Sequence, residues 1–255
     1  MLLASRQIAD SVNEAFAWIT GISLVFLVGI TAAMIYFVFR YSRKRNPKAA
    51  DISGNTKLEI TWIVIPTIIV LFMFWQGFKS FLVMRTVPED AMVVEVEARQ
   101  WAFTFTYPDS GVTSNELYLP VGQPVKLLLT TPVDDVVHSF YVPEFRVKRD
   151  VIPGRYTKVW FTALETGEYD VFCTEYCGTS HSEMLAKAVV HEPGEFDAWL
   201  EEASDFLSKL PPAEAGELLY NQRGCKQCHS VDVSSGTGPT FLGVYGTRHA
   251  LVSGE

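Results

Sequence analysis

The sequence predicts a two-helix transmembrane hairpin, then an all-β sandwich, then a third unit toward the C-terminus. Three observations predict it. Two long runs carry no charge, 24 residues from Phe16 to Phe39 and 19 from Ile60 to Phe78. Between Ala91 and His191, short strand-like stretches alternate with turns rich in Pro and Gly. The four cysteines fall at two places only, Cys173 and Cys177 in one loop and Cys225 and Cys228 in another.

A bilayer core takes about 20 apolar residues in a helix. Both uncharged runs meet that length, and both have charged flanks. A buried core helix is the ordinary alternative for either run, and a cleaved signal peptide for the first. The first run is longer than a signal peptide's apolar region, and no small-residue cleavage site follows it. The expected boundaries are an outer segment over 1–15, spans over 16–39 and 60–85, and a loop over 40–59. Pro66 falls inside the second span, where neighbouring groups must satisfy the carbonyl it frees. The loop holds Arg40, Arg43, Lys44, Arg45, Lys48 and Lys57 against Asp51 and Glu59. Basic loops stay in the cytoplasm, so both termini and everything beyond the second span are expected outside. Glu59 stands where the loop meets the second span, and a carboxylate in a first helical turn is favoured by the helix dipole.

The formal net charge is −8. That argues against a nucleic-acid partner, which calls for a basic face, and is compatible with a basic protein partner.

From Ala91 to Tyr107 the pattern is strand-like. Val94, Val96 and Ala98 alternate with charges, then Trp101, Phe103 and Phe105 alternate with small or polar residues. The apolar phase flips near Arg99–Gln100, which predicts a bulge or a strand break. Further strands are expected at 116–119, 125–130, 136–142, 156–161, 168–172 and 185–191. This spacing is that of a sandwich or barrel. After His191 the period changes. Phe196, Trp199, Leu200, Ala203, Phe206, Leu207 and Leu210 line one face of a helix. The outer domain is expected over 90–202, a linker over 203–212, and the third unit over 213–255.

The loop Cys173–Met184 concentrates soft donors. A disulfide between Cys173 and Cys177 leaves His181 and Met184 unexplained. Thiolates, thioethers and imidazoles suit copper. A mononuclear blue-copper site needs one Cys, two His and a weak Met, an order that Cys177, His181 and Met184 follow with His138 upstream. Cys173 is then one thiolate too many. Two thiolates can instead bridge two copper ions, each ion taking one imidazole, one the Met sulfur and the other a backbone carbonyl. At the second cluster, Cys225-x-x-Cys228-His229 is the spacing that attaches haem through two thioethers, with the histidine on the iron. A zinc pair lacks a second cysteine pair, and a disulfide-exchange motif lacks its βαβ context.

Through these residues the chain resembles subunit II of cytochrome c oxidase. "HSF" at His138 and "CTEYCGTSHSEM" from Cys173 to Met184 are similar to that family's binuclear copper (CuA) motif. "LEITWIVIP", "RQWAF" and "IPGRY" also resemble family segments, so the likeness covers residues 15 to about 202. It implies a cupredoxin fold for the sandwich. It implies Cys173 and Cys177 bridging two copper ions, His138 and His181 each binding one, and Met184 as a weak ligand. Glu175 would give its carbonyl to copper and its side chain to magnesium at the contact with subunit I. Trp101 matches the tryptophan that receives electrons from cytochrome c. Core packing is its plainer role, one that suits Phe103 and Phe105 better. Ala102 and Phe103 stand where the family has further aromatics. Glu59 matches a carboxylate at the mouth of a proton pathway into subunit I.

Residues 213–255 resemble part of an α-helical cytochrome c domain, with "GTGPTFLGVYG" following the haem motif and Pro239 near His229. Such domains use a distal methionine, and no methionine follows Met184. Either further residues belong to the domain or another group ligates the iron, His249 being the downstream candidate. Taken whole, the resemblance implies a caa-type haem–copper oxidase subunit in the bacterial cell membrane. It would carry electrons from cytochrome c or an upstream respiratory complex through haem c and CuA to haem a in subunit I. Dioxygen is reduced there, with proton pumping. A CuA-containing nitric oxide reductase subunit and a membrane-tethered copper-delivery protein are the alternatives.

Overall fold

The computed structural model describes residues 6–48, 50–51, 53–205, 209–222, 225–234 and 236–247. The chain divides into two units, one formed by the N-terminal helices and one by the rest.

The first unit is a pair of helices, α1 (Arg6–Arg40) and α2 (Thr56–Arg85). They run antiparallel. Ser80 Oγ donates to the Ser11 carbonyl at 3.0 Å, Gln76 Nε2 to Glu14 Oε1 at 3.5 Å, and Trp18 meets Phe72 edge-on at 5.3 Å. Their outward surface is apolar, with Val25, Phe39 and Phe74 each about two-thirds exposed or more. A helix apolar all round wants lipid or a core, and each is far longer than the ~30 Å hydrocarbon layer at ~1.5 Å per residue. Asn55 caps α2, its side chain accepting from Leu58 N at 3.1 Å. Glu59 follows in the first turn, exposed. The cap starts α2 four residues before the expected span. The helix passes through Pro66 unbroken, with Thr67 Oγ1 donating to the Ile63 carbonyl at 2.6 Å. The expected outer segment over 1–15 is helical from Arg6, because helix-compatible residues carry α1 beyond its apolar run.

The second unit begins with ten strands in two five-stranded sheets. They are β1 (Met92–Arg99), β2 (Ala102–Tyr107), β3 (Val112–Ser114), β4 (Leu117–Pro120), β5 (Pro124–Thr130), β6 (His138–Val142), β7 (Val147–Val151), β8 (Thr157–Thr162), β9 (Gly167–Cys173) and β10 (Leu185–His191). One sheet has the order β3-β2-β1-β5-β8, the other β4-β10-β9-β6-β7. All pairings are antiparallel except β1–β5 and β4–β10. The two sheets bury Val94, Val96, Phe103, Phe105, Leu127, Leu129, Phe140, Phe161 and Val171 between them. Phe140 stands edge-on to both Phe103 and Phe105, at 6.0 and 6.4 Å.

The phase flip near Arg99 is a hairpin. Val96 pairs with Phe105 and Ala98 with Phe103, so an even-numbered residue of β1 shares its face with an odd-numbered residue of β2. Gln100 and Trp101 form the turn, which removes Trp101 from the alternating series it follows in the sequence. Two strands escape sequence reading. The first, β3, has three residues, and β7 is buried only at Val147 and Val151 with charged residues between. The strand expected from Val136 starts at His138, because the Asp135 side chain accepts Val136 N–H at 2.7 Å and holds a turn there.

Helix α3 (Pro193–Ser204) follows the sandwich. Its Trp199 stacks on Tyr118 at 4.1 Å and meets Tyr107 edge-on at 5.2 Å. The helix runs two residues into the expected linker. Phe206 and Leu207, expected on its apolar face, lie outside the described residues. Beyond it come a helix, α4 (Pro212–Gln222), and a 3-10 turn at Cys225–Gln227.

Candidate metal centre

The loop between β9 and β10 carries most of the soft donors. Cys173 ends β9, Cys177 follows in the loop, a 3-10 turn spans His181–Glu183, and Met184 precedes β10. The β9–β10 pairing closes Leu185 on Phe172, so the ends of the loop are clamped. His138 opens β6, which pairs with β9 through Phe140 and Cys173. The sheet thereby brings an upstream histidine to a downstream loop.

The two thiols are free, and their Sγ atoms lie 3.8 Å apart. A disulfide needs about 2.05 Å. Around this pair stand His138 Nδ1 at 4.0 Å from Cys173 Sγ, and His181 Nδ1 at 3.4 Å and Met184 Sδ at 3.8 Å from Cys177 Sγ. The Cys173 thiol faces the Glu175 carbonyl at 3.3 Å. His138 and Met184 are wholly buried and the cysteines nearly so. The ligand atoms of His138, Cys173 and Cys177 all lie within 4.8 Å of one another. His138 Nε2–H donates to Asp135 Oδ1 at 3.3 Å, which leaves the Nδ1 lone pair aimed at the thiols. A metal-binding imidazole needs this tautomer.

The electrostatics suit a cation. Burial resists ionisation at Cys173, but its contacts with the His138 ring, the backbone and Cys177 outweigh it and lower that thiol to about 7. Burial and the neighbouring Cys173 charge push Cys177 up, to about 12. One thiolate forms readily here. A second, 3.8 Å away, forms only against a positive charge. Burial lowers the His138 imidazole, but Cys173 and Asp135 together raise it on balance. Two sulfur anions, two imidazoles, a thioether and a carbonyl make a soft donor set that fits copper.

Trp101 lies at the edge of this cluster. Its indole N–H donates to the Cys177 carbonyl at 3.1 Å. Sequence reasoning missed three neighbours: Gln100 and Asp135, which bond to the site, and Gly178, which follows Cys177. An Asp three residues before a ligand-type His is a signal that could have found Asp135.

The second cysteine cluster lies apart from these donors in sequence. Cys225 and Cys228 are half-buried free thiols on a helical turn, with His229 N–H donating to the Cys225 carbonyl at 2.9 Å. His229 Nδ1–H donates to the Pro239 carbonyl at 2.7 Å, which leaves Nε2 as the free donor atom. Two adjacent thiols and an imidazole so oriented fit covalent haem c. The carboxylate of Glu175 is exposed, Glu59 belongs to the helical unit, and His249 lies outside the described residues.

Comparison with known proteins agrees with this architecture. Residues 2–81 match the transmembrane domain of the family "Cytochrome C oxidase subunit II", and residues 110–191 match its periplasmic domain. The alternative cytochrome c oxidase subunit 2 of Bradyrhizobium diazoefficiens is 36% identical over 231 residues, covering 78% of this chain and 81% of that protein. Cytochrome c oxidase subunit 2 of Alkalihalophilus pseudofirmus is 30% identical over 247 residues, covering 91% and 71%. The crystal structure of the periplasmic domain of subunit II (CoxB) of Bradyrhizobium japonicum covers 47% of this chain and 98% of that one, at 31% identity and a TM-score of 0.44. A membrane-anchoring helix pair, a cupredoxin-like sandwich and a buried His–Cys–Cys cluster thus meet in one chain, which belongs to the family of cytochrome c oxidase subunit II, a component of the haem–copper oxidoreductase complex.

Proposed function

We propose that this chain is the electron-accepting subunit of a caa-type oxidase, with a binuclear copper centre in the sandwich and covalent haem c near the C-terminus. The observation that carries it is the crowding of donor atoms from β6 and the β9–β10 loop around two thiols 3.8 Å apart. Cys173 and Cys177 would bridge the two coppers. His138 and His181 would bind one each, with Met184 and the Glu175 carbonyl completing the set. The bound coppers supply a one-electron redox couple shared over two ions. The chain's own part is to hold the donors rigidly and exclude water, which burial of His138, Met184 and both thiols supports.

Cys225 and Cys228 would hold haem c, with His229 on the iron. The chain would accept electrons from cytochrome c or an upstream respiratory complex and hand them to haem a in subunit I. Dioxygen is reduced there to water, with proton pumping. Trp101 is the electron-accepting aromatic of the sandwich, a role supported by its hydrogen bond to Cys177 rather than core burial. The exposed carboxylates take the remaining family roles, Glu175 as a magnesium ligand at subunit I and Glu59 at the mouth of a proton pathway. Both termini and both redox units would face outward from the bacterial cell membrane.

Electron paramagnetic resonance of the oxidised, copper-loaded chain tests the central point. Hyperfine splitting from one electron shared over two coppers is expected. A mononuclear pattern would remove Cys173 from the ligand set and make the site a blue-copper centre. Haem staining on a denaturing gel tests the second cofactor, and absence of a covalent band would withdraw haem c.

A further inference from the structure

The Cys177 carbonyl receives two side-chain donors from consecutive residues. Trp101 Nε1–H reaches it at 3.1 Å and Gln100 Nε2–H at 2.6 Å. A carbonyl oxygen has two lone pairs, and here both are used. The donors come from the β1–β2 turn, which is anchored on its other side as well. The Gln100 backbone N–H donates to Asp135 Oδ2 at 3.2 Å, and the same carboxylate holds His138.

Close approach is needed for this arrangement. Gly178 follows Cys177 with φ +124°, a conformation that side chains rarely adopt. A Cβ there would lie 2.9 Å from Gln100 Nε2 and 3.1 Å from two atoms of the Trp101 indole. Glycine leaves the space in which the two donors converge.

We infer that Gln100 is a positioning residue, which with Trp101 clamps the Cys177 carbonyl in the space left by Gly178 and holds the indole against the copper-ligand loop. Its part in electron transfer rests on the proposed role of Trp101. One electron would leave a reduced cytochrome haem iron, which becomes ferric, and pass by way of the indole to the copper pair that Cys177 would help hold, reducing that pair by one electron without proton transfer. The hydrogen bond supplies the short path from the indole through the carbonyl carbon, Cα and Cβ to Sγ. Without Gln100 a single donor holds the carbonyl, and the indole is free to tilt. Gln100 is exposed and acts through Trp101 and Cys177.

The test uses Gln100→Met, which keeps the length of the side chain and loses the donor, with Gln100→Ala as a second variant. In the ¹⁵N-tryptophan-labelled, metal-free full chain, Trp101 indole hydrogen exchange is expected to accelerate about fivefold, the scale of losing one net hydrogen bond. An unchanged exchange rate overturns the inference whatever the role of Trp101. In the intact oxidase, with reduced soluble cytochrome c as the probe, the Gln100 variants should slow electron transfer within the complex. They should leave the copper resonance spectrum binuclear, and Gln100→Met should add nothing on top of Trp101→Phe. A change confined to the dependence on cytochrome c concentration would make Gln100 a docking residue, and additive slowing would detach it from Trp101. Either result overturns the inference. Wild-type transfer in Trp101→Phe alone would instead refute the proposed role of Trp101, and the exchange rate would then decide separately whether Gln100 holds the indole.

Discussion

The Sγ atoms of Cys173 and Cys177 stand 3.8 Å apart, beyond any disulfide and close enough to share one ion. Their chemistry then depends on what supplies positive charge between them. The thiols titrate as a pair. Cys173 is lowered from its ordinary 9.0 to about 7, and Cys177 is raised from 9.0 to about 12. A lowered thiol stabilises the fold above its unfolded value, a contribution lost as pH falls from about 9 to about 7. A raised thiol stabilises below the unfolded value, a contribution lost as pH climbs from about 9 to about 12. The metal-free chain is therefore expected to draw most stability from this pair near pH 9. Urea midpoints against pH, minus those of the Cys173→Ser/Cys177→Ser chain, should peak there, and a flat difference would count against the pairing.

Asp135 directs the His138 lone pair at the thiols. Asp135→Ala should weaken copper retention roughly tenfold by removing the partner that fixes the tautomer. The exposed neighbour Asp134 offers a control, and Asp134→Ala should retain copper as the wild type does. Copper bound after dialysis against a graded chelator series measures both. Equal losses would show a charge effect in place of a positioning one.

At the C-terminal cluster, a Cβ on Gly238 would lie 2.6 Å from His229 Cε1 and 2.8 Å from Nδ1. Gly238→Ala should displace the ring while leaving Cys225 and Cys228 in place. Covalent haem staining should persist, and the reduced visible spectrum should shift as histidine ligation is lost. Cys228→Ser should weaken the covalent stain itself. An unaltered spectrum in Gly238→Ala would mean that the ring can move aside.

Phe140 is fully buried between two edge-on rings, Phe103 and Phe105. Phe140→Ala should cost about 3–5 kcal/mol, the usual range for removing a core aromatic. Phe140 pairs with Cys173 across β6 and β9, so loosened copper should accompany the lost stability. Denaturant unfolding with and without copper checks both, and a loss below ~1 kcal/mol would show that the core collapses into the gap.

Much of this protein is legible in the chain itself, for a physical reason. Uncharged runs, period-2 alternation and Pro–Gly punctuation are local, and each element answers to its own residues. The two apolar helices, most of the strands and the gathering of soft donors in one loop were therefore readable. The soft-donor loop was readable because its spacing is itself local. What stayed hidden depends on partners far along the chain. Val147–Val151 carries charges between two buried ends and becomes a strand only by pairing with β6. Trp101 follows a strand period, yet tertiary pairing of β1 with β2 turns it out of the strand and toward Cys177. The roles of Gln100 and Asp135 depend on contacts across the fold, with partners up to 77 residues away. Which residue types could hold metal was decided by the sequence. Which atoms face one another, which histidine nitrogen is free and which carbonyl is clamped were decided by the sheets, because those relations exist only once β6, β9 and the β1–β2 turn are packed together.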